Sequence, residues 1–174
     1  MSDLDQALNQ AIEQYRRSHP ASERLHQQAL GVLPGGNTRS VLFFDPFPPY
    51  MVRGEGCHLW DADGHRYLDA LGEFTAGLYG HSDPAIRAAI SEALHSGLNL
   101  SSHTEREGLL ARELQRRFPS MELLRFTNSG TEANLMALAT ATAVTERRKV
   151  LVFKGAYHGG VLAFGQGGSP VNVP

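Results

Sequence analysis

Apolar side chains recur at helical spacing near the start of the chain. In residues 3–17 they stand three or four positions apart among polar neighbours, which predicts an amphipathic helix. These apolar residues are Leu4, Leu8, Ala11, Ile12 and Tyr15. His19-Pro20 interrupts the period, and residues 22–30 predict a second, shorter helix that ends before a stretch rich in glycine and proline. Residues 37–49 show no helical period and are expected to be irregular and extended.

Short alternating segments follow the irregular stretch. They comprise residues 51–53, 57–61 and 66–69, and glycine-containing turns separate them. The second turn contains Asp63-Gly64, and Asp-Gly is typical of the tight turn between two antiparallel strands. We therefore expect a small antiparallel meander of three strands.

Longer helices are predicted in the second half of the chain. Asp83-Pro84 combines a helix-capping side chain with a proline at the first helical position, and Gly97 marks the end of that helix. Its apolar face carries Ile86, Ile90 and Leu94. Residues 104–118 predict a second helix, and residues from about 131 to 145 predict a third. On the second helix Leu109, Leu110 and Leu114 are expected to face inward.

Two apolar segments flank the third of these helices and predict strands. Residues 123–127 precede the helix and residues 149–153 follow it, which predicts a parallel sheet with a right-handed crossover. The fold class is therefore α/β. Residues 165–174 have loop composition, and a parallel sheet with so few strands would not be covered on both faces. We expect the chain to be a truncated α/β protein.

Composition excludes several classes of partner. The 174 residues are 41% hydrophobic and 20% charged with a net charge of -2, which favours neither nucleic acid nor an anionic membrane as partner. No signal peptide or membrane-spanning run is seen, so a cytoplasmic protein is expected. The one cysteine, Cys57, is interpreted as a small, buried or half-buried apolar residue, and no spacing of Cys and His predicts a metal site.

A candidate anion site lies where the predicted strand 123–127 meets its helix. Ser129 and Thr131 supply hydroxyl groups there, and Gly130 allows a ligand to approach the backbone closely. The first amides of a helix bind phosphate well, and this end of a parallel strand is where α/β sheets bind ligands. A second interpretation is a capping box between Ser129 and Glu132, which would only begin the helix.

A second candidate segment follows the next predicted strand. Tyr157 and His158 lie between glycines there, and the ring of Tyr157 is suited to stack on a flat cofactor. A turn with an exposed Tyr-His pair is the alternative. Arg39, on the irregular segment, would bind a carboxylate through two parallel hydrogen bonds, whereas most single arginines on loops are only solvated. The spacing of Glu73, His81 and His103 indicates no more than structural roles.

Together these segments resemble the class III aminotransferases, the fold-type I enzymes that use pyridoxal phosphate (PLP) and include glutamate-1-semialdehyde aminomutase. The resemblance covers nearly the whole chain in family order. The shared segments are Leu33-Pro34-Gly35-Gly36, Leu59-Trp60-Asp61-Ala62-Asp63-Gly64, Gly80-His81-Ser82-Asp83-Pro84-Ala85-Ile86, Asn128-Ser129-Gly130-Thr131-Glu132-Ala133 and Tyr157-His158-Gly159. Residues 36–43, 45–48 and 126–138 are similar to the β-phenylalanine aminotransferase branch in particular.

The resemblance implies roles for named residues. Ser129, Gly130 and Thr131 would hold the cofactor phosphate, and Tyr157 would stack on the pyridine ring beside His158. The substrate carboxylate would bind Arg39. The side-chain pocket would be lined by Val41 and by Phe74, where that branch commonly has tyrosine.

The resemblance also implies an architecture. Residues 1–71 would form the N-terminal segment and part of a small domain with the helices and meander, and residues 72–174 would begin the PLP-binding large domain with its mostly parallel sheet. The family works as homodimers on amino acids and 2-oxo acids. Its PLP-anchoring Schiff-base lysine would lie beyond Pro174, since Lys149 and Lys154 do not match it. We therefore expect the isolated chain to be inactive.

Two other functions stay open. The first is an aminomutase of the glutamate-1-semialdehyde type, in which the amino group returns to the same carbon skeleton. The second is a non-catalytic fragment that binds PLP or dimerises.

Overall fold

The computed structural model describes residues 2–160 and 162. The chain divides into two compact units, Met1–Asn99 and Leu100–Pro174. Among the described residues the α-helices are α1 (Asp3–Ser18), α2 (Pro20–Leu30), α3 (Pro84–Ser96), α4 (Glu105–Arg117) and α5 (Gly130–Thr145). The strands are β1 (Met51–Glu55), β2 (His58–Asp61) and β3 (Arg66–Leu68). The predicted helices and the predicted meander are thus confirmed, with ends that differ by at most two residues.

Local sequence explains where the first two helices begin and end. The Ser2 hydroxyl accepts a hydrogen bond from the Asp5 amide (3.2 Å), and the Asp5 carboxylate accepts one from the Ser2 amide (2.8 Å). This capping box begins α1. His19 ends α1 and directly precedes Pro20, which is at the first position of α2 and needs no amide partner there.

The start of α2 is capped by a residue distant in sequence. The Asp63 carboxylate accepts hydrogen bonds from the amides of Ala21 (2.6 Å) and Ser22 (3.0 Å) and from the Ser22 hydroxyl (2.7 Å). Ser22 is fully buried, and its hydroxyl also accepts a bond from the Tyr50 amide (3.1 Å). Because Asp63 lies in the turn between β2 and β3, these hydrogen bonds connect the meander directly to α2.

The three strands form one antiparallel sheet in the order β1-β2-β3. Glu55 pairs with His58 across the first turn, and His58 pairs with Leu68 in the next ladder. Gly64 has a φ of +90°, which explains why glycine follows Asp63 in the β2–β3 turn. The turn predicted from Asp63-Gly64 is confirmed.

A small aromatic core lies beneath these elements. Phe47 is 1% exposed, and its ring centroid lies 5.1 Å from that of Tyr15 on α1. The Tyr15 hydroxyl donates a hydrogen bond to the Phe47 carbonyl oxygen (2.9 Å). The irregular segment that carries Phe47 is thus held to the first helix by both ring packing and a hydrogen bond.

The apolar faces of α3, α4 and α5 are exposed in this structure. Exposed side chains include Ile86, Ile90, Leu94, Leu109, Leu110 and Leu135. The sequence predicted that Leu109 and Leu110 face inward, and the described residues provide no core around them. No described helix is long and apolar enough to cross a membrane.

The two strands predicted around α5 are not part of a sheet among the described residues. Residues 123–127 and 149–153 are extended or irregular, and the expected parallel pairing between them is absent from this part of the chain. A parallel strand is held by hydrogen bonds to neighbouring strands, and the described residues supply no such neighbour. Residues 123–127 still run beside α5, where a cavity of about 630 Å³ is lined by Leu123, Arg125, Met136 and Ala137 among others.

Candidate active site

The start of α5 combines a side-chain cap with exposed amides. The Ser129 hydroxyl accepts a hydrogen bond from the Glu132 amide (3.2 Å), and the Glu132 carboxylate accepts one from the Asn128 amide (2.8 Å). The Glu132 carboxylate bonds to Asn128 and not to the Ser129 amide, so the capping box predicted between Ser129 and Glu132 forms only in part. The cap of α5 is the Ser129 side chain. It leaves the first amides of the helix, those of Gly130 and Thr131, without an acceptor inside the helix.

The space beside these amides suits an anion. A Cβ atom added to Gly130 would meet nothing within 4 Å, so a ligand has open access to the backbone there. The helix that follows is 16 residues long, and its dipole adds a partial positive charge at this end. Glu132 is the one acidic residue of the first turn, and its carboxylate is bonded to Asn128.

The loop of residues 155–160 packs against the first turn of α5. The Thr131 hydroxyl accepts a hydrogen bond from the Gly160 amide (3.0 Å), and the Asn134 side chain donates one to the His158 carbonyl oxygen (3.0 Å). Gly159 is buried against Thr131, since an added Cβ atom would lie 2.8 Å from the Thr131 hydroxyl oxygen. The structure thus brings together the two segments that the sequence selected separately.

Tyr157 lies in the same loop with its side chain largely in solvent. It is 63% exposed, whereas the adjacent His158 is partly buried. Because the His158 carbonyl oxygen and the Gly160 amide are bonded to α5, Tyr157 directly precedes an anchored part of the loop. An exposed aromatic ring on an anchored loop is available to stack on a planar ligand.

Arg39 lies in the other unit, Met1–Asn99, and contacts Glu73. One guanidinium nitrogen is 3.0 Å from the Glu73 carboxylate, and both side chains are about half exposed (49% and 54%). An exposed ion pair of this kind contributes little to stability, so the guanidinium can exchange one carboxylate for another at small cost. Val41 and Phe74 are also about half exposed.

The backbone at Glu73, the partner of Arg39, is in an unusual conformation. Glu73 and Phe74 have φ values of +50° and +54°, in the left-handed region that residues with side chains rarely adopt. Asp69 supports this turn, since its carboxylate accepts hydrogen bonds from the Leu71 and Gly72 amides and lies 2.8 Å from the ring of His81. The backbone bond from Gly72 and the bond with His81 lower the pKa of Asp69. Strained residues of this kind often cluster at functional sites.

The sequence reasoning missed Asp69. Its partner His81 lies 12 positions later in a separate loop, so no local spacing relates the two residues. The signal in the sequence is that two charged residues, Asp69 and Glu73, stand in an otherwise apolar neighbourhood.

Comparison with known proteins identifies relatives over most of the chain. The β-phenylalanine transaminase of Variovorax paradoxus is 56% identical over 171 residues, which cover 98% of this chain and 39% of that protein. Glutamate-1-semialdehyde 2,1-aminomutase of Thermus thermophilus is 40% identical over 162 residues, covering 89% of this chain and 38% of the relative. The chain thus spans about 40% of the length of the curated relatives it matches.

Solved structures support the same relationship. The β-phenylalanine aminotransferase from Variovorax paradoxus superposes with a TM-score of 0.91, covering 98% of this chain and 40% of that one at 56% identity. A glutamate-1-semialdehyde aminomutase from Pseudomonas aeruginosa PAO1 gives a TM-score of 0.78 at 26% identity, covering 90% and 35%. The expected fold class is confirmed, because these neighbours are fold-type I PLP transferases of which the chain covers one part.

The family assignment rests on most of the chain. The sequence description of the family "Aminotransferase class-III" matches residues 44–165, which include both loops at the start of α5 and the whole meander. The chain therefore belongs to the class-III aminotransferase family.

Proposed function

We propose that the chain is the N-terminal part of a PLP-dependent aminotransferase that moves an amino group from a β-amino acid, such as β-phenylalanine, to a 2-oxo acid. The observation that carries this proposal is the packing of residues 155–160 against the first turn of α5. That contact joins a helix start suited to phosphate with a loop that presents an exposed aromatic ring. Similarity to a β-phenylalanine transaminase supports the substrate class.

The residues at the start of α5 fit the phosphate of PLP. Ser129, Gly130 and Thr131 would hold it through backbone amides and hydroxyl groups, and Gly130 leaves the approach open. Tyr157 would stack on the pyridine ring, with His158 beside it. Solved relatives with PLP or its amine form bound support this assignment. When bound, the cofactor supplies an electron sink for the substrate carbon, and the protein supplies position and charge.

Arg39 would hold the substrate carboxylate. Its guanidinium already binds the Glu73 carboxylate at 3.0 Å, which supports the view that it is oriented for this charge. Both groups are half exposed, so an incoming carboxylate can displace Glu73 without uncovering a buried charge. Val41 and Phe74 would line the side-chain pocket, and the phenyl ring of Phe74 favours an apolar substrate side chain.

The lysine that anchors PLP is not identified in this chain. Lys149 and Lys154 are its only lysines, and each lies in the segment that leads into the 155–160 loop. We propose that the 174 residues alone do not transaminate. We also propose that the full-length protein is a cytoplasmic homodimer. The boundary between its small and large domains would lie between residues 71 and 72.

A chimeric enzyme tests the proposed function directly. The 174 residues would replace the matching N-terminal portion of the Variovorax paradoxus β-phenylalanine transaminase, which is 56% identical over that portion. We expect the chimera to transfer the amino group of β-phenylalanine to a 2-oxo acid and release the β-keto acid, whereas the 174-residue chain shows no turnover. The unaltered relative is the control.

Other outcomes of this experiment favour the rival functions. Activity on glutamate-1-semialdehyde without an external acceptor would favour the aminomutase. A folded chimera that binds PLP but moves no amino group would favour a non-catalytic PLP-binding role for these residues. Turnover by the 174-residue chain itself would contradict its proposed inactivity.

Arg39→Ala in the chimera should weaken substrate binding. Loss of a guanidinium–carboxylate contact is expected to raise KM for β-phenylalanine at least about tenfold, since such charged hydrogen bonds contribute roughly 1.5–3 kcal/mol. Steady-state kinetics with an amine that lacks the carboxylate should show a much smaller change. Arg24→Ala, at an exposed position on α2, is the matched control. Equal effects on both substrates would assign Arg39 to the structure and not to carboxylate binding.

A further inference from the structure

A cluster of polar side chains surrounds Asp61 at the end of β2. The His65 ring nitrogen Nδ1 lies 2.9 Å from the Asp61 oxygen Oδ2, and His19 Nε2 lies 3.5 Å from the same oxygen. The Tyr67 hydroxyl lies 2.7 Å from Asp61 Oδ2 and 2.9 Å from His19 Nε2. The cluster lies within the unit Met1–Asn99, and none of its members belongs to the proposed PLP or substrate site.

Asp61 is a buried carboxylate that lies against two histidine rings. It is 2% exposed, and among the described residues its ion pairs are with His19 and His65. Its other oxygen, Oδ1, accepts hydrogen bonds from the amides of Asp63 (3.0 Å) and His65 (2.8 Å). Burial of a charge is costly, and a metal ion bound in the cluster would balance it.

The backbone determines which nitrogen of His19 faces the cluster as a lone pair. Nδ1 lies 2.9 Å from both the Tyr15 carbonyl oxygen and the Ser18 hydroxyl oxygen. The carbonyl oxygen can only accept a hydrogen bond, and the Ser18 hydroxyl has the Gln14 carbonyl oxygen as its own acceptor (3.1 Å), so this geometry favours a proton on Nδ1. In the neutral ring, Nε2 is therefore a bare lone pair that points at the Tyr67 hydroxyl and Asp61. The single hydroxyl proton of Tyr67 cannot satisfy both acceptors at once.

We propose that His19 Nε2, Asp61 Oδ2 and His65 Nδ1 bind a divalent transition-metal ion of the zinc type. The three atoms lie within 4.8 Å of one another. Tetrahedral ligands at about 2.1 Å from Zn²⁺ lie roughly 3.4 Å apart, so small side-chain adjustments bring these atoms to that spacing. A water molecule would occupy the fourth position, with Tyr67 still donating its hydrogen bond to the carboxylate.

The surroundings of the ligands match those of known metal sites. A metal-binding histidine usually donates its second ring N–H to a backbone carbonyl or carboxylate, and His19 does so to Tyr15. A metal-binding carboxylate is usually held by further hydrogen bonds, as Asp61 is by two amides. The His65 side chain is 41% exposed, which gives an ion access from solvent.

The expected role of the metal is structural. His19 lies between α1 and α2, Asp61 ends β2, and His65 directly precedes β3, so one ion would tie the helix junction to the hairpin. The sequence predicted no metal because its test was local spacing, and here one ligand comes from a helix junction distant in sequence from the other two. This inference is independent of the proposed aminotransferase activity.

Calorimetric titration of Zn²⁺ into the purified, chelator-treated protein tests the proposal. We expect one equivalent to bind, and the thermal unfolding midpoint to rise when zinc is present. His65→Ala should weaken binding at least about tenfold and abolish the rise in midpoint. His103→Ala removes a fully exposed histidine from outside the cluster and should leave both values unchanged.

Three results would overturn the proposal. These are the absence of stoichiometric binding, binding that His65→Ala leaves intact, and equal loss in His65→Ala and His103→Ala. If His65→Ala does not fold, X-ray absorption of the zinc-loaded wild-type protein decides the question. Two imidazole ligands at about 2.0 Å support the site, and a shell without imidazole rejects it.

Discussion

Asp61→Asn is expected to lower the free energy of unfolding by about 3 kcal/mol when measured in the presence of EDTA. Asparagine keeps the size of the side chain but replaces one oxygen with an amide group that donates. That group would face the Tyr67 hydroxyl and the Nδ1 of His65, both of which bond to a carboxylate oxygen in the wild-type protein. The change leaves buried polar groups mismatched at a position that is 2% exposed.

The pKa of the Asp61 carboxyl group predicts that the stability of the fold decreases in acid. Burial would raise the pKa of Asp61, but hydrogen bonds from Tyr67 and His65 outweigh it and lower the pKa from 3.8 to about 2. The folded state therefore binds this proton less readily than the unfolded state. The resulting stabilisation, about 2 kcal/mol, is complete above pH 4 and is lost as the pH falls from about 4 to about 2.

Chemical denaturation of both proteins between pH 2 and pH 7 measures these effects. The difference between wild type and Asp61→Asn should shrink toward the acid end, because both then carry a neutral side chain. Asp3→Asn, an equal loss of charge at an exposed position in the first turn of α1, should change stability by a few tenths of a kcal/mol at most. A constant difference at every pH would show that the charge of Asp61 does not stabilise the fold.

Gly159→Ala in the chimera should reduce PLP affinity at least about tenfold. The new Cβ atom would lie 2.8 Å from the Thr131 hydroxyl oxygen and 3.0 Å from the Thr131 Cα atom. Because Cα belongs to the backbone of α5, the 155–160 loop must move away from the helix. Tyr157 would move with it, and displacements near 1 Å are costly at a site built for one geometry.

Gly155→Ala provides a control at a second glycine of positive φ in the same loop. Both glycines have positive φ, +73° at Gly155 and +115° at Gly159, but an added Cβ atom at Gly155 meets nothing within 4 Å. Titration of the PLP-free and metal-free chimeras with PLP, followed by absorbance, measures the affinity of each variant. The comparison separates the effect of the steric clash on PLP affinity from the effect of backbone strain. Similar losses of affinity in both variants would refute the idea that loop packing on Thr131 positions the cofactor residues.

Local signals in the sequence predicted the elements of this fold well. Asp83 caps α3 through the Ile86 amide (2.9 Å) as its position before proline predicted, and Ser129 caps α5. Asp63-Gly64 forms the predicted turn. Each of these features depends on residues within four positions of one another, so the pattern of the sequence contains the necessary information.

Contacts between distant segments could not be predicted in this way. His19 meets Asp61 and Tyr67 because α1 and α2 pack against the hairpin, and Thr131 meets Gly160 because a loop folds back on its helix. The parallel pairing of residues 123–127 and 149–153 was predicted from order along the chain alone. Strand neighbours are determined by topology, and order along the chain does not establish which strands lie side by side.

The capping of α2 by Asp63 makes the helix depend on the hairpin. The amides of Ala21 and Ser22 donate to a carboxylate about forty positions later, so these bonds form only once the chain between them has closed. Helix start and hairpin turn should therefore open together as one cooperative unit. Amide hydrogens at Ala21 and Ser22 would then exchange with solvent at the rate at which the hairpin opens, far more slowly than those of a freely fraying helix end.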